Sequence, residues 1–355
     1  MENLIFKGNR INFQGKSISI STKEDLDSMI LLFDTRKGGW GNPDDPNDKE
    51  VSIDLTDYEL AYFNFSVDWG DGTIEYYEQS DIESLPQPNW GYALTHEYDE
   101  PGIYQVKLNG SIGGILYGWG DAGAKLLEVQ QWGTVQWDSC WYAFPGCNNM
   151  DIIATDYPDL SNVSSENRNF EGELMFEECW NLKNMSSNLF KTATDVNGIM
   201  NVTFSYCTSL EEVPAGLFDN VNIAEYANGT FRYCENLNIV NGASNWKVGE
   251  LKNMGRMFQG CGNIDVVGME HWEPFKLEAG TGWLGLNEMF EDSTLPTERY
   301  SQVLINFASK IEQFENTGIY FGAGSSKYNT SAESARNILT SAPYNWVITD
   351  GGLDE

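Results

Sequence analysis

Two stretches of strict two-residue alternation mark the first third of the chain. Phe63, Phe65, Val67 and Trp69 are interleaved with Asn64, Ser66 and Asp68, and Tyr104, Val106 and Leu108 with Gln105, Lys107 and Asn109. Successive side chains of a strand point to opposite faces, so each stretch predicts a strand with one apolar face and one wet face. The turn Gly70-Asp71-Gly72 follows the first and Pro101-Gly102 precedes the second. Nearer the N-terminus, Ile11 with Phe13 and Ile18 with Ile20 flank Gln14-Gly15, which predicts a small hairpin or extended arm over residues 1–23. The run GGWGNPDDPND between Lys37 and Glu50 predicts a loop.

The period then changes. From about residue 124 a unit recurs that consists of Phe, two residues, Cys, one residue, Asn or Ser, an aliphatic residue, two residues and a second aliphatic residue. It runs through Phe144, Cys147, Asn149, Met150 and Ile153, then Phe176, Cys179, Asn181, Leu182 and Met185. Phe204, Cys207, Ser209, Leu210 and Val213 follow, then Phe231, Cys234, Asn236, Leu237 and Val240, then Phe258, Cys261, Asn263, Ile264 and Val267. Leu126 and Val129 fit an earlier degenerate unit, and in a final one Phe290 is followed by Ser293 in place of Cys. A repeat of this length predicts coils stacked so that equivalent residues form ladders, because one coil cannot bury enough surface to order itself. Five of the six cysteines then occupy one inward position and read as reduced thiols. Beyond the repeats, TERYSQVLINFASKIEQF and SAESARNILT predict helices, and residues 318–321 and NWVITDGG predict short strands.

Several of these motifs resemble known families. VDWGDGT at 67–73 and THEYDEPGIYQVKL at 95–108 resemble the paired signatures of PKD-type immunoglobulin-like domains, which implies a β-sandwich spacer or carbohydrate-associated module. The Phe-x-x-Cys unit resembles the BspA-like leucine-rich repeats of bacterial surface proteins. Gly324 to Tyr328, Ala332 to Leu339 and Trp346 to Gly352 resemble the closing module that follows such repeats. The opening MENLIFKGNRINFQGKSISIS looks like the arms of appendage proteins from tailed phages of gut Bacteroidales. The expected fold class is therefore mainly β: a PKD-like β-sandwich at 24–113, a leucine-rich-repeat solenoid at 114–294 and an α/β C-terminal cap at 295–355, behind an arm at 1–23.

Charge narrows the function. Asp and Glu number 53 against 21 Lys and Arg, a net charge of -32, which repels nucleic acid phosphates and excludes direct nucleic acid binding as the expected role. The arm is the exception: Lys7, Arg10, Lys16 and Lys23 face only Glu2, so it is net +3 and leaves -35 for the remainder. The opening apolar run Leu4, Ile5, Phe6 is too short for a signal-peptide core, and no later run reaches the length of a membrane span. These properties lead to the expectation of synthesis without an export signal. A mature form with its signal removed is the alternative.

Catalytic motifs are absent from the sequence, and adjacent acids such as Glu177-Glu178, Glu211-Glu212 and Asp44-Asp45 do not converge across a cleft as glycoside hydrolysis requires. Asp68, Asp71 and His96 read as turn and strand-end residues rather than a catalytic cluster. The Asp-rich loop lacks the spacing of an EF-hand, and Cys140 with Cys147 lacks the spacing of a zinc site, so no metal or cofactor is expected. The candidate binding surface is the exposed row beside the repeated aliphatics: Asp151, Lys183, Asn184, Glu211, Glu212, Asn238 and Asp265. Trp132, Trp137, Trp141 and Trp180 either stack on sugar rings or pack a junction. The docking arm is read as Lys7, Arg10, Ile11, Phe13 and Lys16. The expectation is a non-enzymatic virion component, a fibre or surface decoration protein, that meets other virion proteins through its arm and a bacterial surface glycan or protein through its repeats. A bacterial cell-surface adhesin or glycan-binding lipoprotein is the alternative.

Overall fold

The computed structural model describes residues 26–39, 41–57, 61–87, 91–118, 120–163, 173–194, 199–221 and 225–354, and the backbone of the strands within 4–21. Those first strands, β1 (Leu4–Phe6), β2 (Asn9–Gln14) and β3 (Ser17–Ser21), form an antiparallel three-stranded sheet of their own, with Ile11 opposite Ile20 and Phe13 opposite Ile18.

The two alternating stretches lie in β6 (Phe63–Asp68) and β9 (Ile103–Ile112), which pair antiparallel with Val67 opposite Leu108. β9 also pairs with β4 (Met29–Asp34), and β6 with the edge strand β7 (Ile74–Glu78). A separate two-stranded ribbon joins β5 (Glu50–Thr56) and β8 (Gly91–Glu97). Met29, Leu31, Phe33, Val51, Ile53, Leu55, Val67, Trp69, Val106 and Leu108 are fully buried, the inward half of each alternating pattern. The larger sheet continues into the repeats: β4 pairs with β10 (Leu126–Gln131), and β10 pairs parallel with β11 (Asp151–Ile152).

These pairings overturn the expected fold class. Strand accounts for 24% and helix for 15%, spread over several small sheets, and neither a PKD-type sandwich nor a closed leucine-rich-repeat solenoid is evident. Among the described residues the ribbon of β5 and β8 has no further strands to complete a second sheet, while the other strands of the expected sandwich are absorbed into one six-stranded sheet. In the repeats, strands shrink to residue pairs: β12 (Glu212–Val213), β13 (Ile239–Val240) and β15 (Asp265–Val266) form one parallel sheet, and β14 (Gly262–Asn263) with β16 (Ser293–Thr294) another.

The physical reason lies in the backbone around each repeated Phe. Two residues before and two after each of Phe144, Phe176, Phe204, Phe231, Phe258 and Phe290 the chain is left-handed. Nine of these positions are not glycine: Tyr142, Leu174, Glu178, Val202, Tyr206, Tyr233, Arg256, Glu288 and Asp292, with φ between 52° and 62°. Alternating left-handed residues cannot form a pleated strand. They do aim every second N–H at the next coil: Phe144, Phe176, Phe204, Phe231 and Phe258 each donate at 2.9 Å to the carbonyl of Met175, Thr203, Thr230, Met257 and Met289. Their left-handed neighbours donate in parallel, for example Val202 to Asn228 at 2.8 Å and Tyr206 to Arg232 at 2.7 Å. Each left-handed L-residue costs roughly 1 kcal/mol, offset by a coil-to-coil hydrogen bond that also satisfies a buried backbone group.

Inside this backbone ladder the phenylalanines stack. Successive ring centroids from Phe144 to Phe290 are 5.2 to 5.8 Å apart and the planes lie within 15° of parallel. The six cysteines are buried and free. The ladder thiols are hydrogen-bond donors as well as small apolar groups: Cys179, Cys207, Cys234 and Cys261 donate to the carbonyl of the Phe one coil earlier, at 3.0 to 3.2 Å. Ser293 makes the same bond to Phe258 at 2.7 Å, which accounts for the exchange of Cys for Ser in the last unit. In two coils the inward aliphatic sits one residue earlier than its spacing predicts: Ile152 and Val266 are buried, whereas Ile153 is 49% exposed.

After the last coil, the helix Thr297–Ser309 buries Tyr300, Val303, Leu304 and Phe307. β17 (Tyr320–Gly322) and β18 (Val347–Thr349) pair parallel, and Phe321 bridges to Leu286 of the last coil. Arg336, on the helix Glu333–Thr340, grips Asp350 with two hydrogen bonds of 2.8 and 3.2 Å, and Tyr300 donates its hydroxyl to the same carboxylate at 2.8 Å. That buried cluster gives the Arg and the Asp-Gly-Gly of the C-terminal motifs a structural role.

Candidate functional site

Several residues singled out in the sequence hold structure together. Asp151 accepts hydrogen bonds from the backbone of Lys183 and Asn184 and from the Asn184 side chain, at 2.9 to 3.1 Å. Glu212 accepts from Asn241, the Asn238 side chain donates to the Asn236 carbonyl, and Asp265 pairs with Arg299 at 2.8 Å. Lys183 and Glu211 are exposed. The row is interrupted, since Lys183 and Asn184 lie in no strand. Of the arm residues, Lys7 and Lys16 lie outside the described residues, and Arg10, Ile11 and Phe13 are described only as backbone in β2.

The residues that superficially suggest catalysis are also placed by packing. Asp68 and Asp71 accept backbone N–H bonds within their own turn, from Gly70 and Thr73. His96 stacks on Trp69 and bonds Asp71 at 2.8 Å. Trp132 and Trp137 are buried against each other and Phe144, where the six-stranded sheet meets the repeats. In the Asp-rich loop, Asp44 pairs with Lys37 and Asp48 with Lys125. Among the described residues no group of three or more His, Cys, Asp or Glu side chains is arranged to hold a metal ion.

A different face brings functional groups together. The residues next to the stacked phenylalanines, at the left-handed corners, form rows that cross the coils. One row runs Glu177, Ser205, Arg232, Gln259, Glu291, and its neighbours include Tyr206, Tyr233 and Arg256. Arg232 donates from Nε to Gln259 at 2.8 Å, and Gln259 donates to Glu291 at 2.6 Å, so three coils share one polar chain. The Arg232 guanidinium also lies over aromatic rings, 4.6 Å from the centroid of Tyr233 and 5.7 Å from those of Tyr206 and Trp283. The rings of Tyr206 and Tyr233 pack with centroids 4.9 Å apart, tilted by 36°. Arg256 lies 4.8 Å from the Trp283 ring and pairs with Glu288 at 2.6 Å.

Electrostatics divide the strip. At its N-terminal end, burial raises the carboxyls of Glu173, Glu177 and Glu178 above their usual range. Glu177 is pushed up to about 8, first by burial and then by neighbouring Glu178, with Arg232 acting in the opposite direction. It is therefore largely neutral at neutral pH and able to donate a hydrogen bond. The C-terminal end carries the two guanidinium groups, the exposed Trp283 and a groove of about 350 Å³ whose lining includes Thr281, Asn287, Glu288, Glu291 and Tyr320. Aromatic faces, fixed guanidinium donors, amides and one carboxyl held largely neutral in one strip suit the recognition of a polar, hydroxyl-rich ligand. Sequence reasoning passed over this strip because its residues are contiguous only once the left-handed corners bring one coil over the next. The signal present in the sequence was the recurrence of aromatic or charged residues one or two places after Phe176, Phe204, Phe231 and Phe290.

Comparison with known families locates the repeats. Residues 138–272 and 199–314, two overlapping stretches, match the model of a family described as Mycoplasma protein of unknown function, DUF285. The match is consistent with a BspA-like surface protein. Neither the curated proteins nor the solved structures provide a match. Among the described residues no helix is long and apolar enough to cross a membrane.

Proposed function

We propose that this chain is a non-catalytic recognition protein, anchored through its N-terminal arm and presenting the stacked repeats to a ligand outside the assembly that carries it. The observation that supports this reading best is the corner strip, where Trp283 and the rings and guanidinium groups around it are held at the surface by coil-to-coil bonds. The setting we favour is a virion, with the chain as a fibre or decoration component. Its support is the net +3 arm, whose strands form a sheet separate from the other sheets and so are available to add to an acidic partner. A bacterial cell-surface adhesin or glycan-binding lipoprotein is the second reading, supported by the family match over the repeats.

Deletion of residues 1–23 separates the two settings. In the virion setting the truncated protein keeps nearly the same thermal unfolding but is no longer incorporated into its particle, and high salt weakens docking of the intact chain. Normal incorporation of the truncated protein would remove the virion setting. Release of reducing ends from a polysaccharide panel would overturn the non-catalytic reading in both.

A further inference from the structure

Building on the recognition reading, we propose that the C-terminal end of the corner strip binds an anionic saccharide, with a sugar ring against Trp283 and its carboxylate or sulfate held by Arg232 and Arg256. Trp283 is 38% exposed, an unusual placement for so large an apolar group. Its position depends on two bare backbone sites: a Cβ on Gly229 would lie 3.0 Å from the indole, and one on Gly255 would lie 2.7 Å from the Trp283 backbone. The indole is thus seated across two coils and kept at the surface.

The flanking guanidinium groups are oriented but incompletely used. Each uses Nε on an internal acceptor, Gln259 for Arg232 and Glu288 for Arg256, which fixes its plane. Their terminal amino groups make no further hydrogen bond among the described residues, and two such groups form the fork that carboxylates and sulfates accept. Charge adds to this. Several other cations face carboxylates, as in Lys125 with Asp48, Lys252 with Glu225 and Arg336 with Asp350. Arg232 faces an amide and aromatic rings instead, and among the described residues no carboxylate forms an ion pair with it. Glu177, two places away in the row, is held largely neutral by burial.

The adjoining groove limits the kind of anion. Thr281, Asn287, Glu288 and Glu291 line it with groups that bond hydroxyls, and its volume of about 350 Å³ falls within the roughly 300–1,000 Å³ typical of small-ligand sites. The two glutamates repel a polyanion such as a nucleic acid but accept hydrogen bonds from neutral hydroxyls. One acidic group on a polyhydroxylated ring matches both halves of the site.

Calorimetric titration of the full chain with oligogalacturonate and with a sulfated oligosaccharide, each beside its methyl-esterified or desulfated counterpart, tests the assignment. At least one acidic form is expected to bind at least about tenfold more tightly than its neutral counterpart. Arg232→Gln and Trp283→Ala are each expected to weaken that binding by about tenfold or more with unchanged thermal unfolding, and Lys37→Gln, in the Asp-rich loop, to leave it unaltered. Equal binding of the neutral forms, no binding of either acidic form, or full affinity in Arg232→Gln would overturn the site. Adhesion to target cells, measured in parallel, separates the two levels of the argument. Adhesion that survives both substitutions removes this site and leaves the recognition reading standing, whereas a chain that binds no cells removes both.

Discussion

The six-stranded sheet and the repeat stack bury the same kinds of residue by different backbones. In β6 and β9, burial alternates because a pleated strand turns every second side chain inward, and the hydrogen bonds run antiparallel within the sheet. Around Phe204, burial recurs only from coil to coil, and the hydrogen bonds leave left-handed corners at Val202 and Tyr206 for the following coil. The strand tolerates any residue that fits its two faces. The corner imposes a conformation that most L-residues avoid, and is held in place by the column of rings and thiols behind it. A buried side chain in the sheet thus contributes mainly surface area, whereas one in the stack also sets the spacing between coils.

The thiol position distinguishes these roles most sharply. Cys207→Asp places a carboxylate in an apolar column with no cation to meet it, and is expected to cost about 3–5 kcal/mol or to prevent folding. Cys207→Ser keeps a donor for the Phe176 carbonyl, as Ser293 does for Phe258, and is expected to cost no more than about 1–1.5 kcal/mol. Urea unfolding of both variants gives the comparison. Equal losses would mean that the thiol acts by volume alone. The raised pKa that burial imposes on Cys207 also predicts slow labelling of the native protein by thiol reagents.

Glycine substitutions then separate the two backbones. Val67→Gly in β6 removes a fully buried side chain and loosens a strand, with an expected loss of about 2–4 kcal/mol. Val202→Gly, in a half-buried corner with φ 58°, relieves a left-handed valine and is expected to be neutral or to stabilise by up to about 1 kcal/mol. Thermal unfolding of the pair is the measurement. A loss at Val202 as large as that at Val67 would show that the corners are not strained.

The same contrast explains what could be read in the sequence. Two-residue alternation located β6 and β9, and the Phe-x-x-Cys spacing located the stacked rings, because both patterns record which side chains are buried. The joining of β10 and β11 to the first sheet was not legible, since alternation reports faces and not partners. The corners were hidden for another reason. Gly146, Gly229 and Gly260 signal a left-handed backbone, but the other positions carry Tyr, Leu, Val, Arg, Glu and Asp. Sequence rules assign Tyr and Val to strands and Leu, Arg and Glu to helices. The expected exposed row at Asp151, Lys183 and Glu211 followed from its place beside the repeated aliphatics, and the corner strip with Trp283 was missed along with the corners.

The smallest expected effect concerns the acidic end of the strip. Glu177 has its native pKa raised to about 8 from the ordinary 4.5, so the unfolded chain releases the proton at lower pH than the folded one does. Between those values the native state binds more protons than the unfolded state, and stability falls as pH rises. Glu177→Gln removes this linkage while preserving shape and hydrogen-bonding capacity. The variant should match the parent near pH 4.5 and exceed it near pH 8 by on the order of 1 kcal/mol, partial exposure of the carboxyl screening the remainder. Unfolding free energies measured across this pH range decide the matter: a constant difference between parent and Glu177→Gln would mean that the corner carboxyl is solvated in the folded chain, and that the strip offers an anion a charged neighbour where a neutral one is required.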